Sequence, residues 1–387
     1  MIIVWRSGSW KTMYTQLFTV MTLKDKVISI DPSWTMKKIV WVLWNNDIGV
    51  INIWDWNFSP IYLNKNFYEK IKYNFEDAVW NAINFLFNLI YVLDSKLYTQ
   101  IEWAIKTVIE KIIKNIYEKY EWKVTIDILI EELEKIKKSK WISKEILTKL
   151  ILVFDKARQP SYTFLRRILN STNDLTQIIF ENNKLIIDIR ELEWFQIWNL
   201  TNEEKIILSS ILLSIRLYLR INQNFINIIT RKYNLKKKIY TYIMIDEIHY
   251  FFNDPWLKQL INSFVRMIRN AYWSIIWLTQ NLTDFWDIEN LQEILWNFSY
   301  RLILDTVNAN TYLKSLDFIK KWKDEDNLEY LTMKKYINDF IKLYDSIKAQ
   351  WNTPFLWILE WPFWKFLIER KLPKTFINKL SQLSSWI

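Results

Sequence analysis

The chain opens Met-Ile-Ile-Val-Trp-Arg-Ser-Gly-Ser-Trp-Lys-Thr, and this stretch constrains the fold more than any other. A β-branched run, Ile2, Ile3 and Val4, leads into a turn, then Lys11-Thr12, then an apolar helical pattern through Met13, Leu17 and Phe18. Strand, tight loop and helix in that order outline a loop that wraps a phosphate. With glycine in place of Trp5 and Trp10, residues 4–12 would read V-G-R-S-G-S-G-K-T, which fits the G-x-x-x-x-G-K-T pattern throughout. Such a loop cradles a triphosphate with consecutive backbone N–H groups at a helix N-terminus. It needs glycine where φ is positive, or where phosphate oxygens come closer than a Cβ allows. Gly8 is one such residue, and Trp5 and Trp10 stand where the other two belong.

Composition bears on those two mismatches. The 387 residues include 24 Trp and 2 Gly. Together these make about 7% of the chain, the share that glycine alone has in an ordinary protein. The expectation is that UGA codons meaning glycine have been written as tryptophan. Local contexts agree: Trp34 in Asp-Pro-Ser-Trp-Thr, Trp54 and Trp56 around Asp55, and Trp256 after Asn-Asp-Pro read as turns that call for glycine. A tryptophan surface for sugars, peptides or membranes would instead repeat along one face at a period of 2 or 3.6, and no such spacing is present. Trp80 and Trp103, inside helical patterns, are compatible with genuine tryptophan.

With 51% hydrophobic residues the chain can bury a large core, as one big domain or two modest ones. There is no cysteine, which removes disulfides and zinc-thiolate sites and fits a reducing compartment. No signal peptide precedes the first strand, and the most apolar stretch, residues 78–93, is interrupted by Asn81, Asn84 and Asn88. The reading is a soluble or peripheral, cytoplasmic protein. The net charge of +10 would suggest nucleic acid or an anionic membrane surface. However, the abundant Ile, Lys, Asn, Tyr and Phe all have codons built only from A and U, so lysine is raised whatever the protein does. Lys236-Lys237-Lys238 and residues 131–140 therefore read as solvated faces.

Taken in order, residues 1–64 read as α/β, with strands at 26–32 and 49–53 separated by a helix, hence a parallel sheet. Residues 65–184 carry helical periodicity at 75–92, 100–120 and 126–138 and read as an all-helical insertion. Residues 185–387 resume the sheet. Strands are expected at 184–189, 239–245, 274–278 and 301–304, and helices at 201–222 and 257–270; Thr201 and Glu204 form a capping box. The final residues, from about 308 on, are mixed and show no clear pattern.

The chemistry gathers at two strand ends. Lys11 would reach the β and γ phosphates of ATP, and Thr12 would ligate Mg²⁺. Ile243-Met244-Ile245-Asp246-Glu247 is a buried-strand pattern ending in two carboxylates. In an open α/β sheet that end faces the ligand crevice. Asp246 would hold Mg²⁺, and Glu247 would polarise the attacking water. Gln280 ends the next strand, where it could sense the γ-phosphate, and Arg266 and Arg269 on the preceding helix are finger candidates. His249, the lone histidine, has no companions for a metal site and reads as a packing or hydrogen-bonding residue.

The runs 246–256, 264–269 and 273–285, with Asp31-Pro32 and Asn57-Phe58-Ser59-Pro60, resemble the ATPase domain of the large conjugative-transfer ATPases of type IV secretion systems. The resemblance spans most of the chain. It implies a RecA-like P-loop NTPase whose mainly parallel sheet carries the all-α insertion. It also implies ATP and Mg²⁺ at residues Trp5, Arg6, Ser7, Gly8, Ser9, Trp10, Lys11 and Thr12, with Arg269 or Arg266 acting across a subunit boundary. The implied partners are a homo-hexamer, other secretion-apparatus subunits, inner-membrane machinery touched peripherally, and DNA. Members carry a large domain before the phosphate loop, so the resemblance further implies a fragment or a split-gene product. Two other expectations remain open: a related hexameric ATPase or helicase that pumps duplex DNA, and a non-catalytic aromatic-rich binding protein if the tryptophans are literal.

Overall fold

The structure, a computed structural model, describes residues 2–4, 25–31, 48–52, 57–101, 103–137, 144–189, 200–233, 241–252, 254–268, 273–279, 301–303, 356–361 and 364–369, with a few isolated positions between 310 and 346. Its frame is a nine-stranded sheet in the order β3-β4-β2-β5-β6-β1-β7-β8-β9. The strands are β1 (Ile2–Val4), β2 (Lys26–Asp31), β3 (Ile48–Asn52), β4 (Lys184–Asp188), β5 (Thr241–Ile245), β6 (Trp273–Thr279), β7 (Arg301–Ile303), β8 (Leu356–Trp361) and β9 (Trp364–Glu369). The pairs from β3 through β7 are parallel. β2, β4 and β5 are buried along almost their whole length, the polar Lys26, Ser29, Asp31, Lys184 and Asp188 included, because helices cover the sheet and both faces are dry.

Between β3 and β4 the chain is helical: α1 (Lys65–Lys70), α2 (Phe75–Leu93), α3 (Ser95–Gln100), α4 (Trp103–Lys119), α5 (Ile126–Lys137), α6 (Lys144–Ala157), α7 (Thr163–Asn170) and α8 (Leu175–Glu181). Their starts follow local chemistry. Asn74 Oδ1 accepts the N–H of Glu76 at 3.1 Å ahead of α2, and Asp174 Oδ1 accepts those of Thr176 and Gln177 at 2.8 and 3.3 Å ahead of α8. α2 then buries Ala78, Val79, Ala82, Ile83, Leu86, Leu89, Ile90 and Leu93, the i, i+3, i+4 stripe that the periodicity calls for. The expected helix 100–120 is divided, since α3 ends at Gln100 and α4 begins at Trp103.

The helices share one apolar cluster with the sheet, running from Ile28 and Ile30 through Phe85, Leu89 and Leu129 to Ile245 and Ile275. The chain enters and leaves the helical section side by side. Ser59 and Asp174 form an isolated parallel bridge, the Ser59 N–H donates to Asn173 O at 2.7 Å, and Asp174 Oδ2 accepts the Asn64 N–H at 3.2 Å.

α9 (Asn202–Tyr233) carries the expected capping box in full. Thr201 N donates to Glu204 Oε2 at 2.6 Å, and Glu204 N to Thr201 Oγ1 at 3.3 Å. It runs past the expected end at Asn222 because no glycine or proline stops it and apolar residues recur at Phe225, Ile226 and Ile229. Its Asn202–Gln223 part is long and apolar enough to cross a bilayer, yet 78% of that window is buried in the protein, so its apolar surface is spent on the core. α10 (His249–Phe252) and α11 (Pro255–Ile268) follow β5. α11 starts earlier than expected because Asp254 Oδ1 accepts the N–H groups of Trp256 and Leu257 at 3.0 and 3.1 Å, with Pro255 at the first helical position. This corrects the reading of Trp256 as a turn residue: it lies in a first helical turn, where no positive φ is needed. The unpatterned C-terminal region contributes β8 and β9, an antiparallel hairpin that extends the sheet beyond β7.

Candidate functional site

All parallel strands present their carboxyl ends at one edge, so register decides which residues meet there. Val4, the last residue of β1, lies opposite Thr279, the last of β6. Ile245, the last of β5, lies opposite Trp277 of β6 and opposite Ile30 of β2. β6 thus separates the strand that runs into the Trp5–Thr12 segment from the strand that ends in Asp246-Glu247. With neighbouring strands ~4.8 Å apart, the two exits lie about 10 Å apart, a gap suited to a phosphate chain and a cation.

The acidic end is tightly built. The Asp246 N–H donates to Ile30 O at 3.1 Å, and the Ile248 N–H donates to Leu278 O at 3.2 Å, so the chain leaving β5 is fastened to the strands on both sides. Asp246 Oδ1 accepts the N–H of Glu247 at 3.0 Å. Glu247 takes φ 47°, in the left-handed region. Both carboxylates are buried, at 3% and 7% exposure, and Thr279 is fully buried. A non-glycine residue held at positive φ at the carboxyl edge of a parallel sheet is the kind of strain that functional sites retain.

Two carboxylates at this edge were not singled out from sequence as site residues. Asp31 ends β2 and Asp188 ends β4; they lie in register on adjacent strands and are both buried. The signal was present, since each closes an apolar strand, but their adjacency depends on β4 returning beside β2 after the whole helical section. The Ile189 N–H then donates to Asp31 O at 3.1 Å, continuing the ladder past the strand ends.

Of the expected site residues, Asp246 and Glu247 are placed at this edge. Trp5, Arg6, Ser7, Gly8, Ser9, Trp10, Lys11 and Thr12 lie outside the described residues, as does Gln280, which directly follows Thr279. Arg266 belongs to α11, its side chain outside the described part, and Arg269 lies just beyond that helix, outside it. His249 opens α10, its side chain likewise not described. Among the described residues no group of three or more His, Cys, Asp or Glu could hold a metal ion. Mg²⁺ in nucleotide sites takes one or two carboxylates and completes its shell with phosphate oxygens and water, so a single buried aspartate at this edge fits that ion.

No protein-family model and no curated protein matches the chain. Solved structures do. VirB4 of Thermoanaerobacter pseudethanolicus superposes with a TM-score of 0.59 at 14% identity, over 97% of this chain and 90% of that one. The plasmid coupling protein TrwB in complex with ADP and Mg²⁺ gives a TM-score of 0.45 at 13% identity, over 81% of this chain and 74% of that one. A TrwB complex with a non-hydrolysable ATP analogue also gives 0.45, at 13% identity, over 82% of this chain and 73% of that one. At such identities the likeness is one of fold, and in fold the chain is a RecA-like α/β domain of the kind VirB4 presents, with helices inserted between two of its parallel strands.

Proposed function

We propose that the protein is an ATP-hydrolysing motor of a type IV secretion or conjugative-transfer apparatus. The observation that carries the reading is the juxtaposition at one sheet edge of the strand entering the Gly8–Lys11–Thr12 segment and the buried Asp246-Glu247 end, one strand apart. Lys11 would bind the β and γ phosphates. Thr12 and Asp246 would hold Mg²⁺, which when bound neutralises charge on the phosphates. Glu247 would accept a proton from the attacking water, and Gln280, the residue after β6, would sense the γ-phosphate. Arg266, in the last turn of α11, or Arg269, the residue after that helix, would reach a neighbouring subunit's nucleotide in a homo-hexameric ring. The likeness in fold to VirB4 supports this reading, as do the motif runs through 246–285. Other subunits of the apparatus, inner-membrane machinery contacted from the cytoplasmic side, and DNA are the partners it implies.

The reading requires a phosphate loop with glycine at positions 5 and 10. Trp10 as written would put an indole where phosphate oxygens must meet the backbone. The test compares ATP affinity and Mg²⁺-dependent hydrolysis for the literal chain, the Trp5→Gly/Trp10→Gly chain, and the latter carrying Glu247→Gln. Negligible binding, restored binding with turnover, and binding without turnover are expected in that order. Equal affinity in the first two, or turnover untouched by Glu247→Gln, overturns the assignment. DNA-stimulated hydrolysis would favour direct DNA translocation over service to an apparatus.

A further inference from the structure

We infer that residue 122 of the protein as made is glycine, and that the tryptophan written there shares its origin with Trp5 and Trp10. The inference goes beyond the proposed activity, since it rests on backbone conformation far along the chain from the nucleotide loop.

Trp122 lies in the turn that ends α4. Its N–H donates to Tyr117 O at 2.8 Å, and the N–H of Glu121 donates to Glu118 O at 3.4 Å, the paired bonds that close a helix in the Schellman manner. Glu121 takes φ 47° and Trp122 φ 74°, two left-handed residues in succession. At such φ the Cβ of an L-residue crowds the carbonyl oxygen, and for a bulky side chain the conformation is an outlier. The turn cannot relax by changing φ, because its far side is pinned. The Leu63 N–H donates to Trp122 O at 3.2 Å, and Tyr117 Oη donates to Ile61 O at 2.5 Å.

The space around the side chain gives a second, independent observation. The Trp122 ring centroid lies 3.2 Å from that of Phe75 at an interplanar angle of 69°, nearer than the roughly 4.5–7 Å that aromatic pairs keep. The crowding is confined to Phe75: Trp122 is half-buried against the core, and its ring keeps an ordinary 6.3 Å from that of Tyr117. Glu121, beside it, is exposed and its side chain extends into solvent, so it bears the φ penalty without the crowding. Among the described residues, Trp122 is the one tryptophan at positive φ. Trp256 has helical placement, and Trp277 sits in extended backbone within β6.

The direct experiment is mass spectrometry of the protein isolated from its source cells, reading the tryptic fragment from Tyr120 to Lys123. The mass of glycine at position 122 is expected; the mass of tryptophan overturns the inference. A second measurement separates φ from bulk. In the chain with glycine at 5 and 10, Trp122→Gly and Trp122→Ala are compared by denaturant unfolding. Alanine removes the clash with Phe75 but keeps a Cβ at φ 74°, so the glycine variant should have an unfolding constant roughly tenfold smaller than the alanine variant. Equal constants, or a more stable alanine variant, count against a glycine requirement. Neither readout depends on ATP, so the inference and the ATPase reading can fail separately.

Discussion

The carboxylate of Asp246 accepts the backbone N–H of Glu247 at 3.0 Å, and Glu247 is held at φ 47°. One acidic residue thereby sets the turn that aims the other, at a conformation that glycine would adopt more easily. Glu247→Gly should therefore raise folding stability by about 1 kcal/mol while abolishing hydrolysis, the trade expected of a strained functional residue. Urea denaturation and ATP turnover on the same preparation check it. A variant that is both less stable and still active would show that Glu247 is a structural acid.

Arg269 follows α11, which lies between the acidic strand and β6 in the chain. If it serves a neighbour's nucleotide, Arg269→Ala lowers turnover by roughly a thousandfold. Mixing that variant with a Lys11→Ala subunit should recover activity at interfaces that combine one intact Lys11 with one intact Arg269. Absence of recovery at every mixing ratio rules out action in trans, and the same design applied to Arg266 decides between the two.

Asp174 ties the two ends of the helical section together and is buried. Burial pushes its carboxyl up to about 6, against the opposing pull of the N–H groups of Asn64, Gln177 and Thr176. A folded-state value raised above the unfolded one means stability that is full below pH ~4 and is lost as pH rises through 6. The loss should amount to about 2–3 kcal/mol. Unfolding midpoints measured from pH 4 to 7 should fall over that range, and Asp174→Asn, which cannot titrate, should flatten the slope.

Lys26 behaves in the opposite sense. It is 6% exposed; its Nζ donates to Phe180 O at 2.9 Å and sits 4.6 Å above the Tyr218 ring. Burial lowers its pKa to about 7. The unfolded chain binds the proton more tightly, so stability is full above pH ~10 and falls as pH drops toward 7. Lys26→Met should remove that dependence and raise stability at pH 7. A midpoint that does not change between pH 7 and 9 in the unmodified chain would contradict the lowered pKa.

Much of this molecule is written locally. Ile2 to Val4, Lys26 to Asp31 and Thr241 to Ile245 show as strands because each is a short run rich in β-branched and other apolar residues. α2 shows through its stripe, and α9 through Thr201 and Glu204, whose two hydrogen bonds form as the spacing requires. The Asp246-Glu247 pair was legible as a strand end for the same reason: period, cap and terminus are properties of a few neighbouring residues.

What neighbouring residues do not carry is the order of the strands. That β6 inserts between β1 and β5, and that Asp31 comes beside Asp188 after the whole helical section between them, is decided by pairing and packing between segments far apart in the chain. The β8–β9 hairpin was not legible either, because its apolar residues do not alternate and it gains its partner only when β7 offers an open edge. The left-handed φ of Glu247 and of Trp122 belongs to the same class. Sequence marks a position as turn-like or acidic, but only the pinning of that backbone by distant strands and loops, Ile30 and Leu278 around the one and Leu63 against the other, holds its conformation in place.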